Sequence, residues 1–158
     1  MSDVIVCVVR HAEAGERTAW RHPDVERPLT ARGRRQAEML VERFADLPLT
    51  QLLSSPYLRC VQTLEPLGAS RALPIELRDE LAEGGSPAHV EKLVLEAATE
   101  GAAVLCVHGD GLQALLQALV DRDVPLTGEP TDQSKGSTWY LRVVDGVVRS
   151  GRYEPPPT

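Results

Sequence analysis

The 158-residue chain, 42% hydrophobic and 25% charged, has the composition of one globular domain, which excludes fibrous, collagenous and mainly disordered classes. Aromatic residues make up only 4%, so the core is expected to be aliphatic. A net charge of −6 argues against a nucleic-acid polymer or an anionic membrane as partner, because both are held by basic surfaces.

Residues 4–9, VIVCVV, form a continuous apolar, β-branched run, as expected of a strand buried on both faces of a parallel sheet. A polar stretch follows from 12 to 29. Thr30 then caps a helix whose apolar positions Ala37, Leu40, Val41 and Phe44 recur at helical spacing, with Pro48 marking its end. QLLSS at 51–55 reads as a short strand, and Ser55-Pro56 as an N-cap followed by proline in the first turn of a helix that stops at Gly68. Ser86-Pro87 repeats that start signal before a helix carrying Val90, Leu93, Val94 and Ala97 on one stripe. AVLCV at 103–107 is a second buried strand, and Asp110 with Gln113 resembles a capping box for a fourth helix. Residues 121–136 read as loop. TWYLRVV at 138–144, an Asp145-Gly146 turn and VVRSGRY at 147–153 predict a terminal hairpin. This order implies an α/β three-layer sandwich with a mainly parallel sheet. The expected domain is 1–153, followed by a flexible Pro-rich tail at 154–158.

Cys7, Cys60 and Cys106 lack metal-ligand spacing and read as reduced, buried thiols. That fits a reducing, cytoplasmic setting, as does the absence of a signal segment before Arg10 or an apolar run of membrane-spanning length.

Charge is uneven along the chain. Residues 10–35 hold seven arginines against four acids, and only Lys92 and Lys135 are lysines. Arginine suits two-pronged recognition of phosphate. Arg10-His11 follows the first strand, Arg59 lies in the first turn after the second, and His108-Gly109 follows the strand at 103. In open α/β sheets such strand ends line one crevice. Two histidines and two arginines gathered there would repel each other unless a multiply charged anion, most simply a phosphoryl group, sits among them.

Five segments in one order carry a resemblance: RHAEAG at 10–15, RPLTARGRRQAE at 27–38, SSPYLRCVQT at 54–63, LAEG at 81–84 and VHGDG at 107–111. The whole chain resembles the histidine phosphatase superfamily, also called phosphoglycerate mutase-like, and is most similar to its small SixA-type and Nudix-associated members. The resemblance implies a metal-independent, cofactor-free phosphatase. His11 would be the nucleophile that becomes phosphorylated, with Arg10, Arg59 and a charged His108 holding the equatorial oxygens. The general acid would be Glu83, in the LAEG segment, with Glu80 as the alternative. Ala12 stands where many members have glycine, as in many of the small relatives. The substrate would be a phosphorylated small molecule, a nucleotide or a protein phosphohistidine, and Glu83 as acid favours esters or anhydrides over phosphohistidine. Two other readings stay open: a phosphoglycerate-mutase-like phosphotransferase, against which the missing enclosing insertions count, and a non-catalytic phosphate-binding module. The oligomeric state is not readable.

Several residues carry two readings. Arg17 either binds phosphate at the pocket rim or is an ordinary exposed arginine. Arg27 is expected to bond loop carbonyls near the Thr30 cap. Trp20 either stacks a nucleobase or pins its loop. His22 and His89 are expected to be exposed. Lys135, Ser137 and Thr138 lie near the expected pocket mouth and read either as a backbone or hydroxyl contact to phosphate or, the preferred reading, as an ordinary loop, and Arg32, Arg34 and Arg35 read as a solvated helix face.

Overall fold

The computed structural model describes residues 2–86 and 88–158. Strand β1 (Asp3–Arg10) is followed by helix α1 (Ala31–Arg43), β2 (Leu49–Ser54), α2 (Leu58–Arg71), β3 (Ile75–Leu77) and α3 (His89–Ala98). Then come β4 (Ala102–Val107), α4 (Gly109–Asp121), β5 (Leu126–Thr127), β6 (Thr138–Val144) and β7 (Val147–Glu154). The strands make one sheet in the order β3-β2-β4-β1-β6-β7-β5. Pairing is parallel from β3 through β1 and at β5–β7, and antiparallel at β1–β6 and β6–β7.

The continuous apolar runs reflect burial on both faces. Along β1, Val6 and Val8 join the core that α3 and α4 cover, whereas Cys7 and Val9 join the core under α1 and α2. In β4 the same alternation sends Ala103, Leu105 and Val107 one way and Ala102, Val104 and Cys106 the other. Three layers result, as the element order predicts. Thr30 caps α1, its hydroxyl accepting from the Gly33 N–H at 3.0 Å. Among the described residues no helix is long and apolar enough to cross a membrane.

Several boundaries differ from the sequence reading. Helix α1 ends at Arg43, ahead of Pro48, and α2 begins at Leu58 with no side-chain cap. Ser55 is spent on other contacts described below. Gly68 does not stop α2, which runs to Arg71 and ends where Ala72 turns left-handed (φ 53°). Gly68 instead permits close packing, since a Cβ there would lie 3.1 Å from the Leu73 carbonyl oxygen. The Ser86-Pro87 start signal falls partly outside the described residues, and α3 starts at His89 without a side-chain cap. Helix α4 begins at Gly109, with His108 at the N-cap position, two residues before the cap expected at Asp110. The short strands β3 and β5 were not anticipated. β7 extends through Glu154, and the Pro155 carbonyl accepts from Arg43 at 2.7 Å, so the first tail residues are attached to the domain. Fully buried Trp139 donates its indole N–H to the Asp132 carbonyl at 2.7 Å and so tethers the loop before β6.

Candidate active site

Sheet register brings the predicted residues together. Arg10 is level with Val107 across the parallel β1–β4 pair, and Ser54 is level with Cys106 across β2–β4. The ladder continues one residue further, with the His11 N–H donating to the Val107 carbonyl at 3.1 Å and the Ser55 N–H to Cys106 at 3.2 Å. His11, Ser55 and His108 therefore emerge side by side from the carboxyl edge of three adjacent strands, where ligand crevices of such sheets lie. An open cavity of about 470 Å³ there is lined by Arg10, His11, Arg17, Arg59, Glu83 and His108, among others. A somewhat larger depression, beside Tyr140 and Arg43, involves none of these residues.

His11 is held from below. Its Nδ1 lies 2.8 Å from the Ala12 carbonyl oxygen, which can only accept, so Nδ1 carries the proton and Nε2 keeps its lone pair. The Ala12 N–H is fixed in turn by the Thr63 hydroxyl (3.0 Å), which donates to the Arg59 carbonyl (2.7 Å). Thr63 thus ties the loop after β1 to α2. Burial is the main reason that the imidazole pKa is pushed down to about 3, reinforced by His108, Arg59 and Arg10 and opposed by the Ala12 bond. His11 is consequently a neutral imidazole at physiological pH.

Around it stand buried polar nitrogens without partners. Arg10 uses Nη1 on the Gln133 carbonyl at 2.8 Å, while its Nε is buried and unpartnered. Arg59, 1% exposed, donates through Nη1 to the Asp24 carbonyl (3.0 Å) and through Nη2 to Asp24 Oδ2 (3.1 Å) and Glu83 Oε2 (2.8 Å). Its Nε, too, is buried without a partner, as is Nδ1 of His108. The other ring nitrogen of His108, Nε2, lies 2.8 Å from the Ser55 hydroxyl and 3.6 Å from Cys60 Sγ. Buried groups of this kind are costly unless water or a ligand supplies their partners. Gly109 makes room for the arrangement: a Cβ there would lie 3.0 Å from Arg10 Cζ and 3.1 Å from its Nη2.

The two candidate acids separate. A 3-10 turn over Asp79–Leu81 turns Glu80 outward, where Arg78 Nη2 donates to it at 2.8 Å and holds its carboxyl below the ordinary value. Glu80 does not line the cavity. Glu83 does, and its oxygens accept from Arg59 and from Arg17 Nη2 at 2.8 Å. The Glu83 segment is anchored by Asp110, whose Oδ2 accepts from the Gly84 N–H at 2.7 Å. Asp110 therefore serves the loop opposite rather than a capping box. Arg17 stands at the rim, its side chain 61% exposed and engaged with Glu83.

Of the remaining residues, Arg27 bonds the Gly15 carbonyl and Asp24 Oδ1, bracing the loop. Trp20 donates to the Pro23 carbonyl at 3.0 Å and so pins that loop. Arg32, Arg34, Arg35 and His22 are exposed, but His89 is half-buried. Lys135 lines the cavity, whereas Ser137 and Thr138 are buried behind it and do not reach it. The three cysteines are free and buried. Two contributors escaped the sequence reading. Asp24 acts on Arg59 across 35 positions with no local signal, and the Ser55 hydroxyl, which reads from sequence as a helix cap, faces His108.

The chain matches the family model of the histidine phosphatase superfamily (branch 1) over residues 6–89. It belongs to that superfamily. It is 35% identical over 156 residues to the 8-oxo-(d)GTP phosphatase of Mycolicibacterium smegmatis, an alignment covering 96% of this chain and 48% of the relative. The chain thus spans about half the length of that curated relative. Among solved structures, SixA from Nakamurella multipartitia aligns with a TM-score of 0.73 at 22% identity, covering 100% of this chain and 99% of that one. The protein histidine phosphatase SixA complexed with tungstate aligns with a TM-score of 0.73 at 20% identity, covering 95% and 94%. These structural likenesses establish the shared fold.

Proposed function

We propose that the domain is a metal-independent phosphatase that works through a phosphorylated His11. The observation carrying this reading is the set of orphaned donors, Arg10 Nε, Arg59 Nε and His108 Nδ1, gathered with a neutral histidine whose Nε2 is unused. Three donors suit the three equatorial oxygens of a phosphoryl group in transfer. Nε2 of His11 attacks phosphorus, the bond to the leaving oxygen breaks, and Glu83 delivers a proton to that oxygen. Water then attacks the phosphohistidine, gives a proton back to Glu83, and releases phosphate and free His11. Arg17 at the rim orients Glu83 and the outer part of the substrate.

The substrate is a small phosphorylated molecule, a nucleotide or a protein phosphohistidine. The name of the Mycolicibacterium relative supports a nucleotide, and the SixA name a phosphohistidine. Tungstate, the ligand in that SixA complex, is a tetrahedral oxyanion like phosphate. The buried free thiols are consistent with a reducing, cytoplasmic setting. Hydrolysis of 4-nitrophenyl phosphate in the presence of a chelator tests the proposal. Turnover should persist with chelator and fall by at least about a thousandfold in His11→Ala. Loss on chelation, or survival in the variant, refutes the mechanism.

A further inference from the structure

A backbone strap runs along one wall of the cavity. The Gln133 carbonyl accepts from Arg10 Nη1 at 2.8 Å, and the Gly136 N–H donates to the carbonyls of Arg10 (3.0 Å) and His11 (3.1 Å). Lys135 lies between these anchors, so its backbone is fixed to the nucleophile segment from both sides. Lys135 is exposed and lines the cavity.

The charged groups that bear on its ammonium are mostly cations: Arg10 from β1, Arg27 from the loop before α1, and Arg59 from α2. The acid acting on it, Glu13, faces Arg32 at 3.5 Å. Among the described residues no carboxylate forms an ion pair with Lys135. Although Lys135 is exposed, desolvation at the cavity wall, reinforced by those arginines, holds its ammonium below the ordinary pKa. Negative charge brought beside it would relieve this repulsion.

The phosphoryl group in transfer accounts for Arg10, Arg59 and His108, and leaves Lys135 without an anion. A cavity of about 470 Å³ lies within the ~300–1,000 Å³ range of pockets that hold whole small ligands. Resting on the phosphatase reading above, we propose that Lys135 binds a second phosphate linked to the one being transferred, so that the substrate is a small phosphoanhydride such as a nucleoside diphosphate. Attack by His11 on the terminal phosphorus breaks the bridging P–O bond. The electron pair leaves on the oxygen of the inner phosphate, beside Lys135, and water completes hydrolysis as before.

Binding separates this proposal from turnover. Methylenediphosphonate, whose carbon bridge cannot be hydrolysed, and methylphosphonate are titrated calorimetrically at fixed ionic strength into the wild type, Lys135→Ala and Lys135→Arg. The wild type should bind the diphosphonate at least about tenfold more tightly than the monophosphonate. Lys135→Ala should reduce that ratio to about threefold or less, and Lys135→Arg should keep most of it. A wild-type ratio near one overturns the proposal, as does a Lys135→Ala variant that weakens both ligands by the same factor. A Lys135-dependent ratio in a protein that fails to hydrolyse 4-nitrophenyl phosphate would instead refute the phosphatase reading.

Discussion

The Ser55 hydroxyl lies 2.8 Å from Nε2 of His108 and also accepts the Tyr57 N–H at 3.2 Å, while Nδ1 of the same imidazole is buried without a partner. The hydroxyl can donate to Nε2 of a neutral ring or accept from Nε2–H of a charged one. In these two arrangements, unlike the neutral ring with its hydrogen on Nε2, Nδ1 carries the hydrogen that a phosphoryl oxygen needs. Ser55 is thus a positioning residue. Ser55→Ala should lower kcat/KM by about tenfold to a hundredfold and shift the pH profile of kcat/KM, whereas Ser55→Thr should restore both. A purely structural role would lower the melting temperature and leave the shape of the pH profile unchanged.

His11 makes acid stability testable. Its folded pKa of about 3 lies below the ordinary value of 6.5, so between these values the unfolded chain binds a proton that the native state refuses. Stability conferred by the neutral ring is therefore complete above pH 6.5 and is lost as pH falls toward 3. The slope from one such group reaches at most about 1.4 kcal/mol per pH unit. Denaturant unfolding of His11→Asn between pH 4 and 7 should show a correspondingly shallower dependence than the wild type. An unchanged slope would mean that His11 titrates normally.

The separation of Glu80 from Glu83 predicts unequal variants. Glu83→Gln should reduce turnover of an alkyl phosphate by about 10²–10⁴-fold and that of 4-nitrophenyl phosphate far less, because the latter's leaving group needs little protonation. Glu80→Gln should stay within about threefold of wild type on both. Equal losses on both substrates in Glu83→Gln would assign the carboxyl to positioning Arg59 and Arg17 instead.

Gly109 links packing to chemistry with opposite signs for stability and activity. At this first helical position, which has no positive φ, alanine restricts the unfolded chain more than glycine, worth about 0.4–1 kcal/mol, and the atoms a Cβ would meet are the movable end of Arg10. Gly109→Ala should therefore leave the melting temperature equal or higher while kcat/KM drops about tenfold as the guanidinium is displaced. A variant with wild-type activity would show that Arg10 has slack.

The long elements were legible where burial on both faces imposes unbroken apolar runs, as in VIVCVV and AVLCV, and where Asp145-Gly146 supplies the turn between β6 and β7. Strands β3 and β5, three and two residues long at opposite edges of the sheet, carry too little pattern to be seen. The cationic half of the site was legible because Arg10, His11, Arg59 and His108 follow strands. Its acidic half was not fully so. Glu80 and Glu83 are separated only by the 3-10 turn over Asp79–Leu81, which carries Glu80 outward, and Asp24 reaches Arg59 through tertiary folding alone. Ser55 illustrates a competing signal, since Ser-Pro before a helix reads as a cap whereas the hydroxyl turns to the adjacent strand end.

The tripeptide His108-Gly109-Asp110 at the start of α4 bears on three parts of the site. His108 presents a donor, Gly109 yields space to Arg10, and Asp110 holds the Gly84 N–H beside Glu83. One added residue there would rotate the three side chains by about 100° around the helix, as the 3.6-residue turn requires. Clamp, arginine and acid loop would be misplaced together, although all three belong to different strands and loops. The same insertion near residue 123, at the far end of α4, would leave them in register. Tolerance to length change along this one helix is therefore steeply graded, and its N-terminal end serves as the common datum from which the pocket is measured.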